Sequence, residues 1–202
     1  YEKEIERELH NYILSAGFPE LINEKNPELV KKYVSSIVDK IIFIDMPKLF
    51  KIDDPSKVKA VLEIITENPG MIVDINSLSQ EIGVFRHTLS KYLEYLEAGH
   101  LVVKLYNFSR NKSTSEKKLK KFYPTVLTPA IASNLSENYY SKIIEALVIQ
   151  FAKAKYFWRD QYKDEVDAIE LRDKEIIPIE VKYRTNPEVN KGFEKFCKKY
   201  WC

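Results

Sequence analysis

Residues 164–183, DEVDAIELRDKEIIPIEVKY, decide how this chain is read. Two β-prone runs flank Arg172-Asp173-Lys174-Glu175, a pattern that predicts an antiparallel hairpin. With Asp173 and Lys174 in the turn, opposed residues carry numbers that add to 347, so Asp167 is expected opposite Glu180 and Glu165 opposite Lys182. Side chains alternate along a strand, which puts these four charges on one face. Val166, Ala168, Ile177, Ile179 and Val181 fall on the other, an apolar set broken only by Glu170 near the turn. Farther along, the charged face itself turns apolar at Ile169, Leu171 and Ile176. Both faces are therefore expected to be covered away from the turn, with the charged end projecting into a partly buried place.

Carboxylates opposed across a strand pair repel by up to about 1 kcal/mol and need compensation. A magnesium ion supplies it: two acidic side chains with a backbone carbonyl suit this ion, which keeps several waters and sits against a substrate phosphate. Lys182 could then stabilise developing charge or orient an attacking water. A salt-bridged hairpin, in which Lys182 neutralises the acids without metal, fits the same residues.

Upstream, residues 55–127 predict three helices and a hairpin. Val58, Val61, Leu62 and Ile65 form the first apolar stripe, stopped by Asn68-Pro69-Gly70. Asn76 can cap a second helix carrying Leu78 and Ile82 and ending at Gly83. A third carries Leu89, Tyr92, Leu93 and Leu96 and closes at Ala98-Gly99-His100. Two short helices joined by a tight glycine turn make a helix-turn-helix, and the β-prone runs Leu101–Phe108 and Lys121–Val126 add a wing. In such a module the helix after the turn enters the major groove and the wing touches phosphate. Arg86, His87, Ser90 and Lys91 are the candidate reading residues. Lys104, Arg110, Lys112, Lys117, Lys118, Lys120 and Lys121 form a basic wing against the single acid Glu116. Glu94 and Glu97 on the reading helix count against nucleic acid, and a protein-docking winged helix is the competing expectation.

Residues 1–54 read as helices: Ile5, Leu9, Tyr12 and Ile13 recur at helical spacing before Gly17-Phe18-Pro19, and Pro27 opens a second stripe running to Ile42. The whole chain of 202 residues is 45% apolar and 31% charged, which is globular rather than disordered usage. A net charge of +2 gives no global attraction for nucleic acid, so any basic surface is local. Two cysteines, Cys197 and Cys202, form neither a disulfide framework nor a zinc set, and no run is long enough to span a membrane; a cytoplasmic protein is expected.

Asp167 with Glu180-Val181-Lys182 resembles the PD-(D/E)XK, or restriction-endonuclease-like, superfamily, whose core places an aspartate on one strand and E-x-K on the next. That resemblance implies that Asp167, Glu180 and Lys182 are catalytic. It also implies that Asp167 and Glu180 hold magnesium, with Glu145, on the preceding helix, as a further ligand. Gly17-Phe18-Pro19-Glu20, Leu93 to Leu101, the stretch Trp158-Arg159 to Asp167, and Ile179 to Tyr183 together resemble the region following the ATPase in archaeal and bacterial AAA+-type ATPases of unknown function. The resemblance implies an α+β protein: a helical segment over 1–54, a winged helix over 55–127, and a nuclease-like α/β domain over 128–202. It implies duplex DNA and an upstream ATPase domain as partners. No G-x-x-x-x-G-K-[ST] loop occurs, so ATP would be bound only by that upstream part. After E-x-K only one amphipathic helix remains, from Pro187 to Trp201, so the nuclease-like domain is expected to be incomplete. A non-catalytic module that grips nucleic acid or a partner for the ATPase is the alternative, and a protein-docking platform a third.

Overall fold

The computed structural model describes residues 2–111, 115, 119–131, 137–173, 175–183 and 190–200. The chain is a mixed α+β protein built on one six-stranded sheet. Helix α1 (Glu2–Leu14) ends before Gly17, whose φ of 74° lets the chain turn where a side chain would be strained. Asn26 caps α2 (Pro27–Lys40) by accepting from the Glu28 amide. A π-helical turn (Ile41–Asp45) leads into the single turn α3 (Met46–Leu49).

Next come α4 (Pro55–Glu67), β1 (Met71–Ile72), α5 (Ile75–Ile82), α6 (Arg86–Ala98), β2 (Val102–Asn107) and β3 (Lys120–Pro124). This is the expected helix-turn-helix and hairpin. Its core is Val58, Val61, Leu62 and Ile65 of α4 against Leu89, Leu93 and Leu96 of α6, closed by Ile42 and Met46. One expectation is corrected here. Asp74, not Asn76, caps α5, accepting from the Ser77 amide at 2.8 Å, while Asn76 accepts from Arg86 instead. Gly83 ends α5 in the left-handed region, φ 69°.

Helix α7 (Glu137–Phe151) then leads into β4 (Tyr156–Arg159), β5 (Glu165–Arg172), β6 (Glu175–Ile179) and helix α8 (Lys191–Tyr200). The strand order is β1-β3-β2-β4-β5-β6, with β2 and β4 parallel through Tyr106–Tyr156 and Asn107–Phe157. The sheet thus runs unbroken from the wing into the second hairpin. Leu105 and Tyr123 share a core with Ile143, Ala146, Ile149, Phe157 and Ala168 under α7, while Trp158, Val166, Ile169, Phe196 and Tyr200 form another under α8. Among the described residues no helix is long and apolar enough to cross a membrane.

Helix α8 approaches β5 so closely at Gly192 that an added Cβ would overlap the main chain of Glu165. At an unpacked helix position, Ala in place of Gly stabilises by roughly 0.5–1 kcal/mol. Here Gly192→Ala is expected to reverse that sign and cost about 1–3 kcal/mol, because backbone must move to admit the methyl. Urea unfolding measures it, and a stabilised variant would mean that α8 does not sit this tightly on β5.

Candidate functional site

The β5–β6 hairpin has the expected register. Ala168 opposes Ile179, Ile169 opposes Pro178 and Arg172 opposes Glu175, with Asp173 in the left-handed region at φ 47°. Regular pairing stops at Ile179, one residue short of Glu180. Beyond it the Val181 amide donates to Asp167 Oδ2 at 2.9 Å, so the chain bearing Glu180 and Lys182 is pinned to Asp167 by a side chain rather than by the ladder.

Strict alternation fails on β5. Val166 packs under α8 and Ala168 under α7, yet so does the side chain pair Glu165 and Asp167, which interact with groups on the α7 side. The β4–β5 register shifts between Tyr156 and Trp158, the mark of a bulge. The bulge lets Asp167 and Ala168 both face α7.

Facing them is a charge that sequence pattern assigned elsewhere. Lys121, expected to contact phosphate from the wing, is only 2% exposed. Its Nζ lies 3.1 Å from Glu145 Oε1 and 2.6 Å from Glu165 Oε1. On β3 it shares a face with Tyr123, whose hydroxyl donates to Glu145 Oε1 at 2.5 Å. Lys142, one turn before Glu145 on α7, takes the other oxygen at 2.5 Å. Both oxygens of Glu145 are therefore already engaged, although it stands in the expected cluster. Glu165 does not pair with Lys182; its partners are Lys121 and, at 3.5 Å, Arg159.

Glu180 and Lys182 pair with each other at 2.6 Å. Asn190, which caps α8 by accepting from the Gly192 amide at 2.9 Å, uses its Nδ2 to hold both Glu180 Oε1 at 2.9 Å and the Glu165 carbonyl at 3.1 Å. Among the described residues Glu180 Oε2 is buried with no hydrogen-bond partner. A buried carboxylate oxygen left bare is costly, and it marks the place where a cation or a bound water would be accommodated.

The electrostatics follow from this arrangement. Burial, then repulsion by Glu145 and Glu180, pushes Asp167 up to about 6. Burial alone would raise Glu145 too, but Lys121 and Lys142 outweigh it and hold the carboxyl below its usual range. Burial likewise opposes the charge on Lys121, and Glu145 and Glu165 overcome that and raise it. Burial, then the Glu145 charge, holds the Tyr123 hydroxyl well above its ordinary value. Among the described residues no three Asp, Glu, His or Cys side chains are grouped to hold a metal ion. With Glu145 and Glu165 paired to cations, Asp167 and Glu180 are the acids that could hold an ion here.

The expected nucleic-acid residues divide. Arg86, His87 and Lys91 are exposed along α6, with Ser90 half-buried and Arg86 donating to Asn76 Oδ1 at 2.9 Å. Lys104 is turned away to pair with Glu97. Arg110 sits over the Tyr200 ring, 5.7 Å from its centroid, and donates to the Tyr200 carbonyl at 3.3 Å. Lys112, Lys117 and Lys118 lie outside the described residues.

The model of a family described as "Domain of unknown function (DUF8612)" matches residues 6–140. That of "Domain of unknown function (DUF4143)" matches residues 133–201, and this second family is typically found at the C-termini of AAA-type ATPases. The first stretch contains Lys121 and Tyr123, and the second contains Glu145, Glu165, Asp167 and Glu180, so the charged cluster draws on both. No curated protein matches. Among solved structures the transcriptional regulator SlyA aligns at 20% identity over 60% of this chain and 89% of its own, with a TM-score of 0.27, too low to bear on fold or function.

Proposed function

This chain belongs to the family of the Domain of unknown function DUF8612. From that premise we propose that it is the nucleic-acid-binding, nuclease-like region of an AAA-type ATPase, in which Asp167, Glu180 and Lys182 form a magnesium-dependent phosphodiesterase site. One observation carries the chemistry: Glu180 keeps a buried oxygen that has no partner among the described residues, beside an Asp167 whose charge its surroundings disfavour. A divalent cation would relieve both. The order helix, three antiparallel strands, helix, with an acid on the second strand and E-x-K directly after the third, supports the nuclease-like reading. The match of residues 133–201 supports the link to an ATPase.

In this reading Asp167 and Glu180 hold the ion, and when bound it polarises phosphate and lowers the pKa of a water. Lys182 supplies positive charge one pleat from Glu180, at the place where charge develops. Asn190 fixes Glu180 relative to β5. Lys121, with Lys142 and Arg159, neutralises Glu145 and Glu165, which leaves Asp167 and Glu180 as the acids for the ion. Arg86, His87 and Lys91 on α6 provide the duplex-facing surface.

A second reading has its own support, since Lys121 already places a cation among the acids and no three-ligand group is present among the described residues. There the cluster is structural and the chain grips nucleic acid or a partner without cleaving it. Incubating the protein with supercoiled plasmid and magnesium separates the two. Nicking that disappears in Asp167→Ala and in EDTA is expected, whereas nicking that survives Asp167→Ala removes these residues from the mechanism. No nicking, with a melting temperature indifferent to magnesium or manganese, leaves the non-catalytic reading standing.

A further inference from the structure

We propose that the groove between the β4–β5 turn and α8 is a separate binding site for single-stranded nucleic acid, independent of α6 and of any cleavage at Asp167. The groove holds about 700 Å³, and its working residues are Trp158, Arg159, Tyr162, Lys195 and Lys199. Three features point to a strand with unpaired bases.

The walls are fixed before any ligand arrives. Asn107 uses both ends of its amide on Arg159, donating to the carbonyl at 2.9 Å and accepting from the amide at 3.1 Å. Trp158 is wedged edge-on against Phe196, their rings 5.6 Å apart. Asp160 Oδ1 accepts from the Tyr162 and Asp164 amides at 2.8 and 3.0 Å, which locks the turn that carries Tyr162.

On that locked turn Tyr162 is 73% exposed. Lys195 Nζ stands 5.0 Å from the ring centroid, and most of the ring is left to solvent. A rigid exposed aromatic beside cations is a stacking platform, and any base can use it because every base has a π-face. A duplex cannot, since its base faces are already stacked on one another.

The charges sort in the same direction. Lys195 is committed to Asp160, at 3.1 Å, and to Asp164, and so offsets one of the two negative charges of the turn. Lys199 lies over the rings of Trp158 and Tyr200, at 5.8 and 5.4 Å, and no carboxylate is within ion-pair reach of it among the described residues. Arg159 meets Glu165 at 3.5 Å, and among the described residues no other carboxylate takes up the rest of its donor fork, which can meet a second anion. Lys199 and Arg159 line the same groove as the exposed Tyr162 ring, the combination of cations and open aromatic face that the phosphates and bases of a single strand require.

The test is fluorescence anisotropy of a labelled oligothymidylate with the full chain in EDTA, so that the readout owes nothing to cleavage. Tyr162→Ala is expected to weaken binding about fivefold or more through lost stacking. Lys199→Ala should weaken it and flatten the slope of log affinity against log salt by about 0.7, the share of one phosphate contact on a single strand. Both side chains lie at the surface, and unchanged melting temperatures confirm that the variants fold. The proposal is overturned by a parent protein that does not bind the oligonucleotide, or by variants that bind as the parent does. It is also overturned if an unlabelled duplex, or a glutamate-rich peptide of equal charge, competes as well as the single strand.

Discussion

Lys121→Met should cost about 3–5 kcal/mol of folding stability in urea denaturation, a large share of what holds a chain of this size together. Methionine fills nearly the same space, so the loss is electrostatic. It leaves Glu145, only 5% exposed, with Lys142 and the Tyr123 hydroxyl but without its deepest cation, and Glu165 with only a distant Arg159. The pH dependence identifies the cause. Without Lys121, burial outweighs what is left at Glu145, whose carboxyl then ionises less readily when folded than when unfolded, so the deficit should shrink as the solution is made acid. Adding Glu145→Gln to Lys121→Met should recover part of the loss, because it removes the charge left unpaired. If Lys121→Met falls within about 0.5 kcal/mol of the parent at pH 7, Lys121 does not hold the wing strand to the second hairpin.

The same lysine shows where pattern reading stops. In Lys120-Lys121-Phe122-Tyr123 the period of two is present, and Lys121 shares a face with the buried Tyr123. Nothing local says that this face is covered, because its cover is α7, which follows β3 only after an intervening stretch of chain. A lysine among lysines reads as surface until a carboxylate of distant sequence number is found opposite it. The β5–β6 register, by contrast, was legible, since a two-residue turn fixes every pair of the hairpin it closes and the apolar residues agree with that register. Its end was not. Pairing stops before Glu180 because Asp167 captures the Val181 amide, and the bulge that turns Asp167 toward α7 leaves no mark in the alternation of residue types.

The parallel contact between β2 and β4 was equally invisible. It joins the edge of the wing hairpin to a strand in a different family match, and no turn links the two directly. Its consequence for the site is direct. Because β3, β2, β4 and β5 are neighbours in one sheet, a residue of the wing can neutralise acids of the second hairpin. Helix-turn-helix and acidic cluster are then mechanically continuous, and a load on the wing strand reaches Glu165 through a single side chain.

Asp167→Asn should stabilise the protein at pH 7.5, by about 2–3 kcal/mol if the whole shift is expressed. The aspartate titrates near 6 when folded, against an ordinary value of 3.8, because burial and the charges of Glu145 and Glu180 disfavour its anion. Between those two values the folded state keeps a proton that the unfolded chain has lost. Stability contributed by this group is therefore present below about pH 4 and is lost as pH rises through about 6. Asparagine is neutral throughout and still offers an oxygen to the Val181 amide, so it escapes the loss without giving up the bond. The parent and the variant should be equally stable near pH 3.5 and diverge from about pH 4 to 6, by chemical denaturation at each pH. Magnesium adds a second discrimination. If Asp167 and Glu180 hold an ion, millimolar magnesium should stabilise the parent at pH 7.5 and leave Asp167→Asn nearly unmoved, since the carboxylate that would bind is gone. A variant less stable than the parent at pH 7.5 without metal would mean that Asp167 is satisfied as an anion by its own protein, and no strain would remain for an ion to relieve.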